Sequence, residues 1–285
     1  MRKNIIGKNT VKYAAVVGDF IPAENIGEVM NQGIDAQVRW QDKIGEIHYN
    51  VGVNLTFTKN KLRKSDELDN IEDYRKSVGR STSTIFGLQA EGLFGKDVQL
   101  AGHPLQSYGA YQAGADLNGD NMINDNDVTD LGQSFPTTTM GIDLSLNYKG
   151  FGLYILGTAT TGVTNILSSS YYWNNGLDGY SVLALDRYHP VNNPTGTQPR
   201  LTTTSGANNS RNSSFWSENG SFFRLKNVEL SYTLANKTGK FIGKDFKFFV
   251  RGTDLFVLSG IKDLDPERML SGLTDLPNHY GRNIH

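Results

Sequence analysis

Residues 46–58 read Glu46-Ile47-His48-Tyr49-Asn50-Val51-Gly52-Val53-Asn54-Leu55-Thr56-Phe57-Thr58. Ile47, Tyr49, Val51, Val53, Leu55 and Phe57 are apolar, while His48, Asn50, Gly52, Asn54 and Thr56 between them are polar or small. Such period-two alternation places one face of an extended strand in an apolar medium and the other in water. A half-buried strand on a soluble core alternates in the same way. Length separates the two readings. A strand of thirteen residues at ~3.3 Å each runs ~43 Å, and tilted by ~40° it still spans ~33 Å. Strands of soluble domains cluster near about 5–6 residues.

The pattern continues on either side. Ile34, Ala36, Val38 and Trp40 alternate with Asp35, Gln37, Arg39 and Gln41, and Met140, Ile142, Leu144, Leu146 and Tyr148 share one face of 140–149. Phe222–Leu234 alternates with a slip of phase near Asn227, as a β-bulge produces. Phe246, Phe248 and Val250 open a last strand, with Lys247 and Arg251 opposite and Phe249 breaking the pattern. Short connections, Gln41–Gly45 and Lys149-Gly150, join strands in pairs, whereas long polar stretches, 59–136 and 161–220, separate the pairs. Short turns at one end and long loops at the other fit a membrane β-barrel, and compact soluble domains rarely carry such loops. The expected fold is therefore all-β: a partial, open segment of an antiparallel transmembrane β-barrel with long extracellular loops.

Composition agrees. Of 285 residues, 11% are aromatic and 31 are Gly, but only 38% are hydrophobic, which suits strands with long polar loops. A net charge of −1 lacks the basic footprint of a nucleic-acid binder. The absence of Cys removes disulfides, thiolate metal sites and cysteine nucleophiles together. No run approaches the ~18 apolar residues of a membrane helix. The opening MRKNIIGKNTVKYAAVV is basic like an export leader, but Lys8 and Lys12 interrupt its apolar stretch.

Several blocks, taken together, resemble the SusC/RagA family of TonB-linked outer-membrane transporters. They are ENIGEVMNQGIDAQV (24–38), STIFGLQAEGLF (83–94), ADLNGDNMINDNDVTDLGQSFPTTTMGIDLSLNYKGFGL (115–153), LDRYHPVNNP (185–194) with PRL (199–201), SSFWSENGSFFRLKNVELSYTL (213–234) and FKFFVRGTDLF (246–256). They lie in the family's order and cover most of the chain after Glu24. The resemblance implies a barrel of about 22 strands with an N-terminal plug, loaded from a SusD-like surface lipoprotein and energised through TonB. The implied cargo is an oligosaccharide or a peptide, the implied location the outer membrane, and the implied neighbours outer-membrane lipid but no nucleic acid. On this reading residues 1–285 are the C-terminal part of such a barrel. The plug and the closing strand are expected to lie outside it, because LPNHYGRNIH (276–285) does not continue into a terminal aromatic strand.

Within the chain, 116–127 reads as a twelve-residue calcium loop. Asp116, Asn118, Asp120, the Met122 carbonyl, Asn124 and Asp127 occupy positions 1, 3, 5, 7, 9 and 12. Hard oxygen donors at this spacing wrap one Ca²⁺, and Ile123 at position 8 would pin the loop to its neighbours. Position 6 is Asn121 where Gly is usual, although Asn tolerates the left-handed conformation, and Asp127 reaches less far than Glu. The competing reading is an Asx-rich turn that binds nothing. The role expected of the ion is structural.

No other constellation carries chemistry, and the chain is not expected to be an enzyme. His48, His103, His189, His279 and His285 lack zinc-pair spacing. Ser210, Ser213 and Ser214 lack a nucleophile elbow, and Asp263 and Asp265 read as solvated loop residues. Trp40, Tyr49, Phe57, Tyr148 and Tyr154 suggest interfacial aromatic girdles, and Tyr171–Gly176 offers aromatics either for stacking on sugar or for holding the loop. Two alternatives of fold stand beside the barrel segment: a soluble calcium-containing β-sandwich that binds carbohydrate, and a small self-contained barrel.

Overall fold

A computed structural model of the chain describes residues 2–8, 20–68, 70–99, 101–106, 112–174, 179–201, 209–235 and 245–267. The end segment 276–285 and two of the histidines, His279 and His285, lie outside these.

Seven antiparallel strands form one sheet in the order β1 (Arg2–Lys8), β2 (Ala23–Ile44), β3 (Ile47–Lys64), β4 (Thr138–Tyr148), β5 (Phe151–Thr161), β6 (Phe222–Ala235) and β7 (Asp245–Ser259). Chain order and spatial order coincide, as in an up-and-down wall. The fold is an open, antiparallel β-wall, as the alternation led us to expect. It is not a sandwich: among the described residues no second sheet covers either face, and Val38, Trp40, Phe248 and Val250 are each more than 60% exposed.

Register fixes which residues share a face. Trp40, Val51, Leu144, Ile155 and Val228 stand in one row, and Gln41, Asn50, Ser145, Tyr154, Glu229 and Arg251 in the next. Directly paired residues point the same way and successive rows point oppositely. The wall therefore has one apolar and one largely polar face along its width. Ile47, Tyr49, Val51, Val53, Leu55 and Phe57 all lie on the apolar face. The slip near Asn227 is a bulge: Leu156 pairs with Asn227 and Gly157 with Leu225, leaving Lys226 extra. Beta7 answers it, with Asn227 opposite Thr253 and Leu225 opposite Phe256, and Asp254 there takes a positive φ of 50°. The double irregularity keeps Leu225 and Val228 on the apolar face on both sides of the slip.

The structure corrects three sequence boundaries. The first strand begins at Ala23, well before Ile34, and runs 22 residues. The connection placed at Gln41–Gly45 is a two-residue turn, Gly45-Glu46, because Ile44 pairs with Ile47. Asp42 and Lys43 looked like turn residues but are the polar end of a strand. Gly45, at φ +60°, supplies the left-handed first position that such a turn requires. In the Lys149-Gly150 turn both residues have positive φ, 47° and 91°, which matches the twist of the flanking strands. The third correction is β1, which the sequence pattern did not reveal.

The long stretches are folded. Thr84–Leu88 pairs with Val128–Gln133, Ala90–Leu93 with Gln112–Gly114, and Thr164–Ile166 with Ser217–Asn219. Both stretches leave the sheet at the end opposite the two tight turns.

Candidate functional site

On the polar face, the register row Arg39–Gly52–Asp143 brings the Arg39 guanidinium to 3.3 Å from the Asp143 carboxylate across a glycine. Toward the tight turns, Glu229 takes Lys247 Nζ and Arg251 Nε, both at 2.9 Å. Phe249, which broke the alternation, lies on this polar face between those cations, 5.9 Å from Lys247 and 5.6 Å from Arg251. A cation over an aromatic ring is favourable, which accounts for an aromatic among charges. Toward the loops, Asn54, Thr56, Thr139, Thr158, Thr160 and Glu267 border an open cavity of about 510 Å³. Hydroxyl and amide side chains thus line the polar face at this level, beside Pro136, Met140 and Phe222.

On the apolar face, the row nearest the tight turns is Ile44, Ile47, Tyr148, Phe151, Tyr232 and Phe248. The Phe151 and Tyr232 rings pack with centroids 4.6 Å apart. One turn of the pattern further on, Trp40 Nε1 donates to the Tyr49 hydroxyl at 3.3 Å. Aromatic rings with polar tips gathered at one level suit the boundary between hydrocarbon and headgroup. Tyr154 is the exception among the aromatics named from sequence, since its row partners Ser145 and Glu229 put it on the polar face.

The two long loops pack on each other and on the segment after β7. Ala90 N–H donates to Ser214 Oγ at 2.8 Å, and the Tyr188 hydroxyl donates to the Gly95 carbonyl at 2.6 Å. Tyr172, Trp216, Ile261 and Leu264 form a buried apolar cluster. Burial, with Asp263 nearby, pushes the Tyr171 and Tyr172 hydroxyls above their ordinary pKa. Tyr172 thus holds the loop from within; Asn175 and Gly176 lie outside the described residues. Ser213, read from sequence as part of a polar loop, is 1% exposed. Asp265 is likewise not a solvated loop residue: its carboxylate takes the Arg224 guanidinium, whose side chain is 7% exposed. Arg224 also reaches Glu267 at 3.1 Å and Asp254 at 3.4 Å. Sequence reasoning missed this latch, because Asp254 and Asp265 lie 30 and 41 residues from Arg224, with Glu267 beyond them, and only the fold joins them.

The acidic loop is ordered by its own side chains. Asp116 accepts Gly119 N–H at 2.7 Å and Asn121 N–H at 2.8 Å. Asp127, fully buried, accepts N–H groups of Leu117 at 2.9 Å, Asn118 at 3.3 Å and Asn124 at 2.8 Å. Asp120 accepts Met122 N–H at 2.8 Å, and Asn118 accepts Asp120 N–H at 2.9 Å. Asn121 takes φ 64°, the left-handed turn that position 6 requires. Ile123 is 1% exposed and lies in a two-residue strand paired with Leu105–Gln106. The oxygens suit a hard cation in type and in their spacing along the sequence, and each carboxylate oxygen that accepts one N–H retains a second lone pair, although Asp127 Oδ1 already accepts two. However, among the described residues no three Asp, Glu, His or Cys side chains come together as a metal cluster.

Among the described residues no helix is long and apolar enough to cross a membrane, which says nothing of strands. No family model matches the chain. TonB-dependent receptor P26 of Formosa agariphila is 26% identical over 276 residues, covering 91% of this chain and 27% of that protein. TonB-dependent receptor P3 of the same organism is 23% identical over 264 residues, 86% of this chain and 26% of that protein. The chain thus spans about a quarter of the length of these curated relatives. Among solved structures, the RagAB peptide transporter superposes with a TM-score of 0.64 at 18% identity, over 94% of this chain and 29% of that one. The RagAB peptide importer in its open-open state gives 0.62 over 97% and 30%, also at 18% identity. The resemblance read from blocks of sequence is thereby borne out: this chain is related to the TonB-dependent receptors along nearly its whole length, and its fold is that of part of the barrel wall in the RagAB peptide transporter.

Proposed function

We propose that this chain supplies barrel wall, lumen lining and extracellular loops to a TonB-dependent importer of oligosaccharides or peptides in the outer membrane. The observation that carries the reading is the two-faced wall: one register-aligned face apolar and exposed, the other lined by ion pairs and hydroxyls. An open sheet edge is not stable in hydrocarbon, so the wall closes with further strands of the same protein. Residues 1–285 are then the C-terminal part of a longer protein whose plug contacts TonB, and the loop cap faces a SusD-like lipoprotein. The wall excludes lipid and positions polar groups along the path. It performs no covalent chemistry.

Topology tests this in cells making the full-length protein. A cysteine at Val182, an exposed loop residue, should react with a membrane-impermeant maleimide on intact cells, and one at Gly45 only after permeabilisation. Uptake of labelled oligosaccharide or peptide should stop when TonB is deleted. Equal labelling of both sites, or uptake independent of TonB, contradicts the proposal.

A second proposal concerns the acidic loop. We propose that Asp116, Asn118, Asp120, the Met122 carbonyl, Asn124 and Asp127 hold a structural Ca²⁺. The left-handed Asn121 and the buried Asp127 support it. The ion would replace backbone N–H groups on part of the carboxylate surface and tie the loop more tightly to its neighbours.

A further inference from the structure

The apolar face of β3 ends sharply. From Ile47 to Phe57 it runs ~33 Å, or ~25 Å in height at a ~40° tilt, which equals the apolar band of an outer-membrane barrel. The next side chains in the same alternation are Lys59 and Lys61, followed across a bulge by Arg63 and Lys64. Register confirms the face: Ile34 pairs with Phe57, Gln32 with Lys59 and Met30 with Lys61. Arg63 reaches Met30 Sδ at 2.8 Å, on that same side. Lys59, Lys61 and Lys64 form no ion pair with any described carboxylate. Asp130, which borders the same cavity as Lys59 and Lys61, is paired with Arg80 at 3.0 Å, and Glu28 stands opposite Lys64 in register without an ion pair between them. Lys59, Lys61, Arg80, Ser81, Thr84 and Asp130 border an open cavity of about 220 Å³.

We infer that Lys59, Lys61 and Arg63 form a binding stripe for phosphorylated headgroups of the outer-leaflet lipid. The inference rests on the barrel reading above, which sets lipid against this face and the long loops outside. Cations just above an apolar belt sit at headgroup depth, their stems along hydrocarbon and their charges among phosphates. Here water screens them less than on an open surface, and a phosphate can satisfy several donors at once. Thr138 pairs with Phe57 and with Thr161, so β4 and β5 end below the level of Lys59 and the stripe belongs to the β2–β3 sector.

The test uses the full-length protein in detergent, titrated with lipid A carrying both phosphates and with the same lipid dephosphorylated, read by native mass spectrometry. Diphosphorylated lipid A should bind at least ~10-fold more tightly, and Lys59→Gln/Lys61→Gln/Arg63→Gln should remove that preference. Lys43→Gln, near the tight turns, should leave it intact. Equal binding of the two lipids, or an undiminished preference in the triple variant, overturns the inference. Failure of the protein to insert into neutral phosphatidylcholine vesicles would overturn the barrel reading itself and the stripe with it; insertion without phosphate preference overturns the stripe alone.

Discussion

Arg39 on β2 and Asp143 on β4 meet at 3.3 Å over the intervening strand, because the residue between them in register is Gly52. A Cβ at position 52 would stand 2.3 Å from Asp143 Oδ1. The gap in the alternation, a glycine where a polar side chain would also fit the pattern, is therefore what allows a cross-strand ion pair. We predict that Gly52→Val separates the pair and destabilises the wall by about 1–3 kcal/mol, the usual scale of overpacking. The check is the temperature at which the full-length protein loses its folded mobility on a detergent gel; an unchanged temperature contradicts it.

Trp216 is 3% exposed, and its indole N–H donates to the Asn209 carbonyl at 2.8 Å. Trp216→Ala should cost the loop cap about 3–5 kcal/mol. Because the apolar cluster belongs to the loops and not to the wall, protease should cut within 162–221 while the strands stay protected. Loss of both together would mean that cap and wall unfold as one unit.

The sequence made the wall legible and the cap illegible for a physical reason. Alternation is local: Ile47 to Phe57 carry their own signal, and even the bulge near Asn227 showed as a slip of phase. The cap is held by pairs such as Ala90 with Ser214 and Tyr188 with Gly95, whose sequence separations are 124 and 93. No window of sequence contains both members. The acidic loop was legible as a turn because its Asp and Asn residues recur at short spacing and bond to backbone N–H groups within the same window. The Arg224 latch was not, and Asp265 looked like a solvated carboxylate until the fold brought Arg224 to it. The strand end at Asp42-Lys43 was misplaced because polar residues at the edge of a membrane wall look like a turn.

The acidic loop makes two separable predictions. Asp127→Ala removes a buried carboxylate that accepts three backbone N–H groups and should destabilise 115–133 by about 3 kcal/mol, with or without calcium. If the loop also holds Ca²⁺, chelator should expose it to protease in the full-length protein, and Asp116→Asn/Asp120→Asn should make it permanently sensitive. A cleavage pattern indifferent to chelator contradicts the calcium proposal and leaves an Asx turn.

Asp186 accepts the Thr197 hydroxyl and Thr197 N–H, the latter at 3.1 Å, and these bonds hold its carboxyl below the usual carboxylate range. A depressed folded pKa contributes stability above the unfolded value, near ~3.9, and that stability disappears as pH falls through the folded value. Amide protection in 186–198, corrected for the intrinsic pH dependence of exchange, should therefore be constant from neutral pH to about 5 and fall below about 4. Asp186→Asn should be faster at neutral pH and lack the acid-side change. A native loop without that change contradicts the assignment.

The central claim is that the two faces of β3 meet different media. Nitroxides placed singly at Asn50 through Phe57 in the full-length protein, reconstituted in lipid vesicles, report this directly. Collisions with oxygen should dominate at Val51, Val53, Leu55 and Phe57, and collisions with a water-soluble nickel chelate at Asn50, Asn54 and Thr56, giving a period of two along the strand. A strand uniformly accessible to the nickel reagent would contradict the account and place this wall in water.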